Sequence, residues 1–204
     1  MLRMSSSKTG YHHGDLARAL EAAAMQLLER MPAAEISLRE VARAADVSHN
    51  APYHHFTDRR GLLKTLAERS MAELLGAVRA AEVADNARDA LVGGGAAYVR
   101  FAAEHPNAFD VIYDPTVCVP GAPTETMAPL IDELESVLGT AAERVGLDGA
   151  DDVAALWGLV HGLGTLTAAG HLTLDDALAA FGATVDRLVG DSYIGPARAN
   201  SAKE

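Results

Sequence analysis

Residues 48–59 concentrate side chains that can bind a nucleic acid. Asn50 can form two hydrogen bonds with adenine, and Ala51 can contact the methyl group of thymine. Tyr53 can donate its hydroxyl to a phosphate, and Arg59 carries a permanent positive charge that a phosphate attracts. Each of these residue types is common by itself, so the interpretation depends on the elements that would position them.

The residues around this segment predict two short helices joined by a turn. Ser37 and Glu40 have the spacing of a capping box, so a helix is expected over about 37–45. Ser48 can cap a second helix over about 48–56. Such a pair is a helix-turn-helix, whose second helix can lie in the major groove of DNA. An ordinary helical hairpin without DNA would show the same spacing.

The identities of the residues favour the DNA-binding alternative. Residues 37–56 closely resemble the DNA-binding motif of the TetR family of bacterial transcriptional regulators. The matching positions are Ser37, Leu38, Arg39, Val41, Ala42, Ala45, Val47, Ser48, Tyr53, His55, Phe56, Arg59, Leu62 and Leu63. Residues 11–16, together with Trp157, His161 and Gly162, resemble the subgroup of this family that has a Trp-His-Gly C-terminal domain.

The resemblance implies DNA contacts for nine residues. They are Ser37, Arg39, Ser48, His49, Asn50, Ala51, Tyr53, His54 and Arg59. Residues 48–51 would lie near the bases, and Tyr53, His54 and Arg59 would lie on the backbone. Asp46 stands where the family usually has glycine, but Asp tolerates a left-handed turn better than most residues. His54 stands where arginine is common, and protonation of His54 would raise the affinity for DNA as the pH falls.

Charge is unevenly distributed along the 204 residues, whose formal net charge is −11. Residues 1–70 hold ten Lys or Arg and eight Asp or Glu, whereas residues 71–204 hold seven and twenty. A mildly basic head on an acidic body is compatible with DNA binding. We expect modest non-specific affinity that depends on salt.

The remaining pattern predicts an all-α protein of about nine helices. Hydrophobic residues make up 49% of the chain, and no long alternation of Val or Ile indicates a sheet. We expect a disordered tail at 1–10 and a helix-turn-helix domain with a three-helix head at 11–70. A helical body that binds an effector and forms the dimer would follow at 71–190, and a C-terminal tail at 191–204.

The stretch 153–174 holds 22 residues without a formal charge. A membrane-spanning helix needs about 20 apolar residues, but glycines within the stretch and acidic flanks oppose that interpretation. Gly170 and a capping box formed by Thr173 and Asp176 predict two helices instead. We expect these last two helices, over about 153–189, to form a homodimer as a four-helix bundle, and the resemblance implies the same.

Five side chains are candidates for an effector site in the body. They are Phe101, Phe109, Tyr113, Trp157 and His161. Trp157 and His161 lie four residues apart on one helical face, which suits either a ligand cavity or an ordinary core. A cavity poor in charge would bind a small apolar or aromatic molecule.

Catalysis, metal binding and cofactors are not indicated. Cys118 has no base among its neighbours, and the histidine pairs at 12–13 and 54–55 do not have a chelating spacing. Residues 93–95 are three glycines that lack the flanks of a phosphate loop, so we expect a close crossing or a weak point in a helix. A single cysteine and no signal peptide indicate a cytoplasmic protein.

We therefore predict a non-enzymatic homodimer that binds a pseudo-palindromic double-stranded DNA operator, represses transcription and is released by a small effector. Activation by the same geometry stays open. The alternative is a helical small-molecule-binding protein whose head no longer binds DNA, which the weak charge of the head and His54 favour.

Overall fold

The computed structural model describes residues 13–81 and 86–192. Within these ranges every regular element is a helix, with eight α-helices, two 3₁₀ helices and no strand, which confirms the predicted all-α class. The α-helices are α1 His13–Leu28, α2 Leu38–Ala44, α3 Arg59–Ala81, α4 Ala87–Glu104, α5 Pro106–Tyr113, α6 Met127–Glu143, α7 Ala150–Ala168 and α8 Leu174–Ser192. The tails predicted at 1–10 and 191–204 lie outside the described residues, except for 191 and 192, which end α8.

The chain divides into two compact units, Met1–Leu66 and Ala67–Glu204. The boundary lies inside α3, four residues before the one expected at 70. In the N-terminal unit, α1 packs against α2, and the core is aliphatic with one phenylalanine. Its buried side chains include Leu20, Ala24, Leu28, Ile36, Leu38, Val41, Phe56 and Leu62.

The C-terminal unit is organised around α4, which packs against α5, α6, α7 and α8. Small residues on α4 make this possible, because Gly95 meets the ring of Phe181 on α8 and Gly93 meets the carbonyl of Ala81. The close helix crossing expected for the three glycines is therefore confirmed. Tyr98 and Phe181 are among the largest fully buried side chains of this unit.

The long uncharged stretch forms two helices, as predicted. Gly170 has a φ of +75°, which ends α7 in the left-handed region that glycine favours. The hydroxyl of Thr173 accepts a hydrogen bond from the amide of Asp176 at 3.1 Å and donates to its carboxylate at 2.7 Å. Over the part of the chain that the structure describes, no helix is long and apolar enough to cross a membrane.

The prediction of an α-helix over 48–56 is wrong. The described residues therefore contain eight α-helices instead of the expected nine helices. Residues 48–50 form a turn, and Ala51–His54 form a 3₁₀ helix. The reason is Pro52, which has no amide hydrogen to donate to the carbonyl of Ser48. The amide of Ala51 bonds that carbonyl instead, at 2.9 Å.

Candidate nucleic-acid interface and aromatic cluster

A complete capping box opens α2. The Ser37 hydroxyl accepts a hydrogen bond from the Glu40 amide at 3.3 Å, and the Ser37 amide donates to Glu40 Oε2 at 2.9 Å. The Ser37 hydroxyl also donates to that carboxylate at 2.9 Å, and together these hydrogen bonds hold the pKa of Glu40 below its usual value. The Ser37 hydroxyl is therefore engaged in starting the helix, and the DNA contact expected for Ser37 stays a prediction.

Asp46 forms the turn after α2. Its φ is 52°, so it adopts the left-handed conformation that the sequence predicted in place of glycine. The amide of Val47 donates to the carbonyl of Ala42 at 3.0 Å. The amide of Asp46 donates to the carbonyl of Arg43 at 3.2 Å. This pair of hydrogen bonds is a Schellman motif, which fixes the direction in which the chain leaves α2.

Most of the predicted DNA-binding side chains are exposed. Tyr53 is 54% exposed and therefore does not belong to the core. The other exposed members are Arg39, Ser48, His49, Asn50, His54 and Arg59. Ser37 is half-buried, and Ala51 is only 8% exposed and belongs to the core. A contact between Ala51 and a thymine methyl was expected from an α-helix, and the 3₁₀ geometry turns its side chain inward.

Arg59 is exposed, and its guanidinium contacts backbone carbonyls. Its Nε donates to the carbonyl of Ile36 at 3.0 Å, and its Nη2 donates to the carbonyls of Ala33 and Ala34 at 3.0 and 2.7 Å. These contacts form because the packing of the N-terminal unit brings the start of α3 against the residues before α2. One edge of the guanidinium is therefore engaged with backbone carbonyls, and the phosphate contact expected for Arg59 stays a prediction.

His55 ties the end of the exposed segment to α1. Its Nε2 lies 3.1 Å from Oε1 of Glu21, and its ring contacts the ring of Phe56 edge-on with centroids 4.4 Å apart. His55 therefore connects the residues that precede α3 with α1 through one hydrogen bond and one ring contact.

An aromatic cluster lies in the C-terminal unit. His161 contacts Phe109, Tyr113 and Trp157, with ring centroids 5.5, 4.5 and 5.5 Å away, respectively. The structure thus brings together four of the five residues predicted for an effector site. The fifth, Phe101, is buried but pairs with the ring of His105, at 5.2 Å.

Tyr98 is the member of this cluster that the sequence analysis missed. Its hydroxyl lies 2.6 Å from the hydroxyl of Tyr113 and 3.0 Å from Nδ1 of His161. Its ring packs edge-on against Phe109 at 5.7 Å. Its position three residues before Phe101 on α4 was the available signal, because residues three apart share a helical face.

The polar groups of the cluster are uncharged near neutral pH. Burial raises the pKa of Tyr98, and the neighbouring Tyr113 adds to this effect. Burial also raises the pKa of Tyr113 and lowers that of His161. The nearby Trp157 lowers the pKa of both tyrosines, but the effect of burial is larger. The cluster can therefore exchange hydrogen bonds with a ligand without offering a charge.

Two family models match this chain. Residues 20–66 match the model for bacterial regulatory proteins of the tetR family, and residues 91–189 match the model described as tetracyclin repressor-like, C-terminal domain. The chain belongs to the TetR family. Proteins of this TetR family are DNA-binding transcriptional regulators and not enzymes. The more specific Trp-His-Gly subgroup stays a prediction.

Solved structures agree with this assignment. A Rhodococcus sp. RHA1 protein of unknown function is 32% identical with a TM-score of 0.71, over 88% of this chain and 98% of that chain. A TetR-family transcriptional regulator from Streptomyces coelicolor is 18% identical with a TM-score of 0.69, over 90% of this chain and 83% of that one. The TetR-family regulator PfmR from Thermus thermophilus is 21% identical with a TM-score of 0.63, over 83% and 97%. The last two show the fold alone. No curated protein matches this chain.

Proposed function

We propose that this TetR-family protein represses transcription by binding a pseudo-palindromic operator as a homodimer. The observation that carries the proposal is the exposed run 48–50, followed by exposed Tyr53, on a buried support formed by Ala51 and Pro52. Serine, histidine and asparagine are ordinary at a protein surface, so the exposed Tyr53 beside them is the informative feature. Two copies would read two half-sites about 34–36 Å apart.

Within the exposed surface, different side chains suit different parts of DNA. Asn50 matches the donor and acceptor pair of adenine, and His49 can exchange hydrogen bonds with a base edge. Tyr53, His54 and Arg39 suit phosphates, which position the protein without reading sequence. Ser48 precedes this run and is exposed, so it too can reach a base or a phosphate.

The dimer would form through α7 and α8. Large exposed apolar side chains on these helices are Trp157, Leu166 and Leu188, at 47%, 43% and 37% exposed. A Cβ added at Gly158 or Gly162 would meet no atom of the described chain within 4 Å, so another helix could approach closely. Apolar side chains beside open glycines support packing of a second copy on this face.

The aromatic cluster is the proposed effector site. Neutral Tyr98, Tyr113 and His161 favour a small aromatic molecule with a hydrogen-bonding group and no charge. Such an effector releases DNA only if it binds one conformation of the protein better than the other. Trp157 is the only tryptophan of the sequence, so its fluorescence should report binding at the cluster directly.

Selection from random-sequence duplex DNA tests the DNA-binding proposal. The full chain should enrich an inverted repeat whose two halves are centred about one helical turn apart. A library that remains unenriched at low salt would contradict the proposal and support the helical small-molecule-binding alternative. Reporter transcription from a promoter carrying the enriched repeat then distinguishes repression from activation.

A further inference from the structure

The proposed DNA-binding segment 48–54 cannot hold its own shape. It consists of a turn and one 3₁₀ helix of four residues, Ala51–His54. A single 3₁₀ turn is not stable by itself in water. The direction of its exposed side chains must therefore be imposed by the surrounding structure. Ala51 and Pro52 are buried and the 3₁₀ helix packs against α2, and the structure at the two ends of the segment sets where it begins and ends.

The structure before the segment is fixed locally. The capping box of Ser37 starts α2, and the left-handed Asp46 ends it, so the entry into the segment is determined by hydrogen bonds between near neighbours. After the segment, two hydrogen-bonding side chains connect the chain to residues that lie much earlier in the sequence. His55 contacts Glu21 on α1, and Arg59 contacts the backbone before α2.

Arg59 makes the more extensive of these contacts. It is the first residue of α3, and its three acceptors are the carbonyls of Ala33, Ala34 and Ile36. Ile36 directly precedes Ser37, so the guanidinium joins the beginning of α3 to the beginning of α2. The segment 48–54 lies between these two helices in the chain and is thereby held at both ends.

We propose that Arg59 is a positioning residue for DNA recognition, and that it orients segment 48–54 instead of binding a phosphate. This inference rests on the proposed function. The donors Nε and Nη2 form one of the edges with which arginine can hold a phosphate. Here the three carbonyls occupy that edge. Lysine carries the same charge but lacks the planar fork, so charge and geometry can be separated by substitution.

Measuring the operator affinity of the full chain distinguishes a positioning role of Arg59 from a phosphate contact. The probe is the duplex enriched by the selection, with a scrambled duplex of equal length as reference, titrated at several salt concentrations. We expect Arg59→Lys and Arg59→Ala each to weaken operator binding about tenfold. Both should reduce the preference for operator over scrambled DNA and leave the slope of log affinity against log salt unchanged.

If Arg59 binds a phosphate of the operator instead, the two variants should behave differently. Arg59→Lys would then bind the operator as the wild type does, and Arg59→Ala would lower the salt slope by about one. Either result overturns the proposal. Arg60→Ala is the matched control, because it removes the neighbouring exposed arginine and leaves the contact with the carbonyls in place.

Amide hydrogen exchange tests the inference without DNA. In the full-length Arg59→Lys variant we expect faster exchange at residues 51–56, with exchange in α1 as in the wild type. Unchanged exchange at 51–56, or faster exchange throughout α1 as well, would contradict a positioning role. If the wild type enriches no duplex, the proposed function fails, but this exchange measurement still decides whether Arg59 holds the segment.

Discussion

Gly95 of α4 and Phe181 of α8 pack so closely that no side chain fits between them. A Cβ built on Gly95 would lie 2.2 Å from both Cε1 and Cζ of the Phe181 ring. The ring is 1% exposed and cannot move into solvent. The glycine is therefore required by the close approach of the two helices, and not by a special backbone angle.

Gly95→Ala should destabilise the protein. The added methyl group overpacks the contact with Phe181, which costs about 1–3 kcal/mol of the free energy of unfolding. The thermal midpoint should fall by about 2–4 °C for each kcal/mol in a chain of this size. Gly76→Ala is the control, because a Cβ at this helical position meets no atom within 4 Å. It should raise stability by about 0.5–1 kcal/mol through helix propensity. Equal effects of the two substitutions would contradict the packing explanation.

Gly158→Leu should produce a folded protein that fails to dimerise. The position is open in the described chain, so the leucine fits the single copy but blocks the approach of a second α7. Sedimentation velocity should show a monomer whose helical circular dichroism matches that of the wild type. Gly76→Leu introduces the same side chain on α3 and should remain dimeric. A Gly158→Leu dimer of wild-type affinity would exclude α7 from the interface.

The stability of the protein should fall as the pH drops below about 6.5, in part because of His161. Burial lowers the pKa of His161 in the folded protein from an ordinary value of 6.5, so the unfolded chain binds this proton more readily. The contribution of His161 is present above pH 6.5 and is lost as the pH falls through the lowered pKa. Urea unfolding between pH 7.5 and 5 should show a shallower decline for His161→Gln than for the wild type. His171→Gln, which removes an exposed histidine, is the control. An equally steep decline in His161→Gln would contradict this assignment.

Tyr53→Phe should weaken binding to the selected operator about tenfold, since one hydrogen bond to a phosphate is lost. The salt slope should stay unchanged because the substitution removes no charge. Fluorescence anisotropy with a labelled duplex measures both quantities. Ser136→Ala removes an exposed hydroxyl from α6 and should bind as the wild type does. Wild-type affinity in Tyr53→Phe would remove Tyr53 from the proposed contacts.

The reliable sequence predictions concern interactions between near neighbours. The capping box of Ser37 and Glu40, and the N-cap hydrogen bond between Thr173 and Asp176, each join residues three apart. Asp46 was predicted to tolerate a left-handed turn and does so. These features depend on short-range geometry and on the chemistry of a few side chains. They are readable from the sequence for that reason.

The predictions that failed concern how the segment 48–56 meets its surroundings. An α-helix was expected there, and the outward side of Ala51 was inferred from it. Pro52 instead leaves a 3₁₀ helix with Ala51 buried. Periodicity in so short a segment cannot distinguish the two helix types, because tertiary contacts and one missing donor decide between them.

By itself, the sequence determined the all-α class, the family and the starts of α2 and α8, because helical periodicity and capping act over a few residues. Only the tertiary structure decided that Arg59 binds the carbonyls of residues 33, 34 and 36, which lie 23 to 26 positions earlier in the chain. It also decided that Tyr98 joins His161, 63 positions later. Contacts of this separation depend on how whole helices pack, and no local pattern encodes which distant groups will meet.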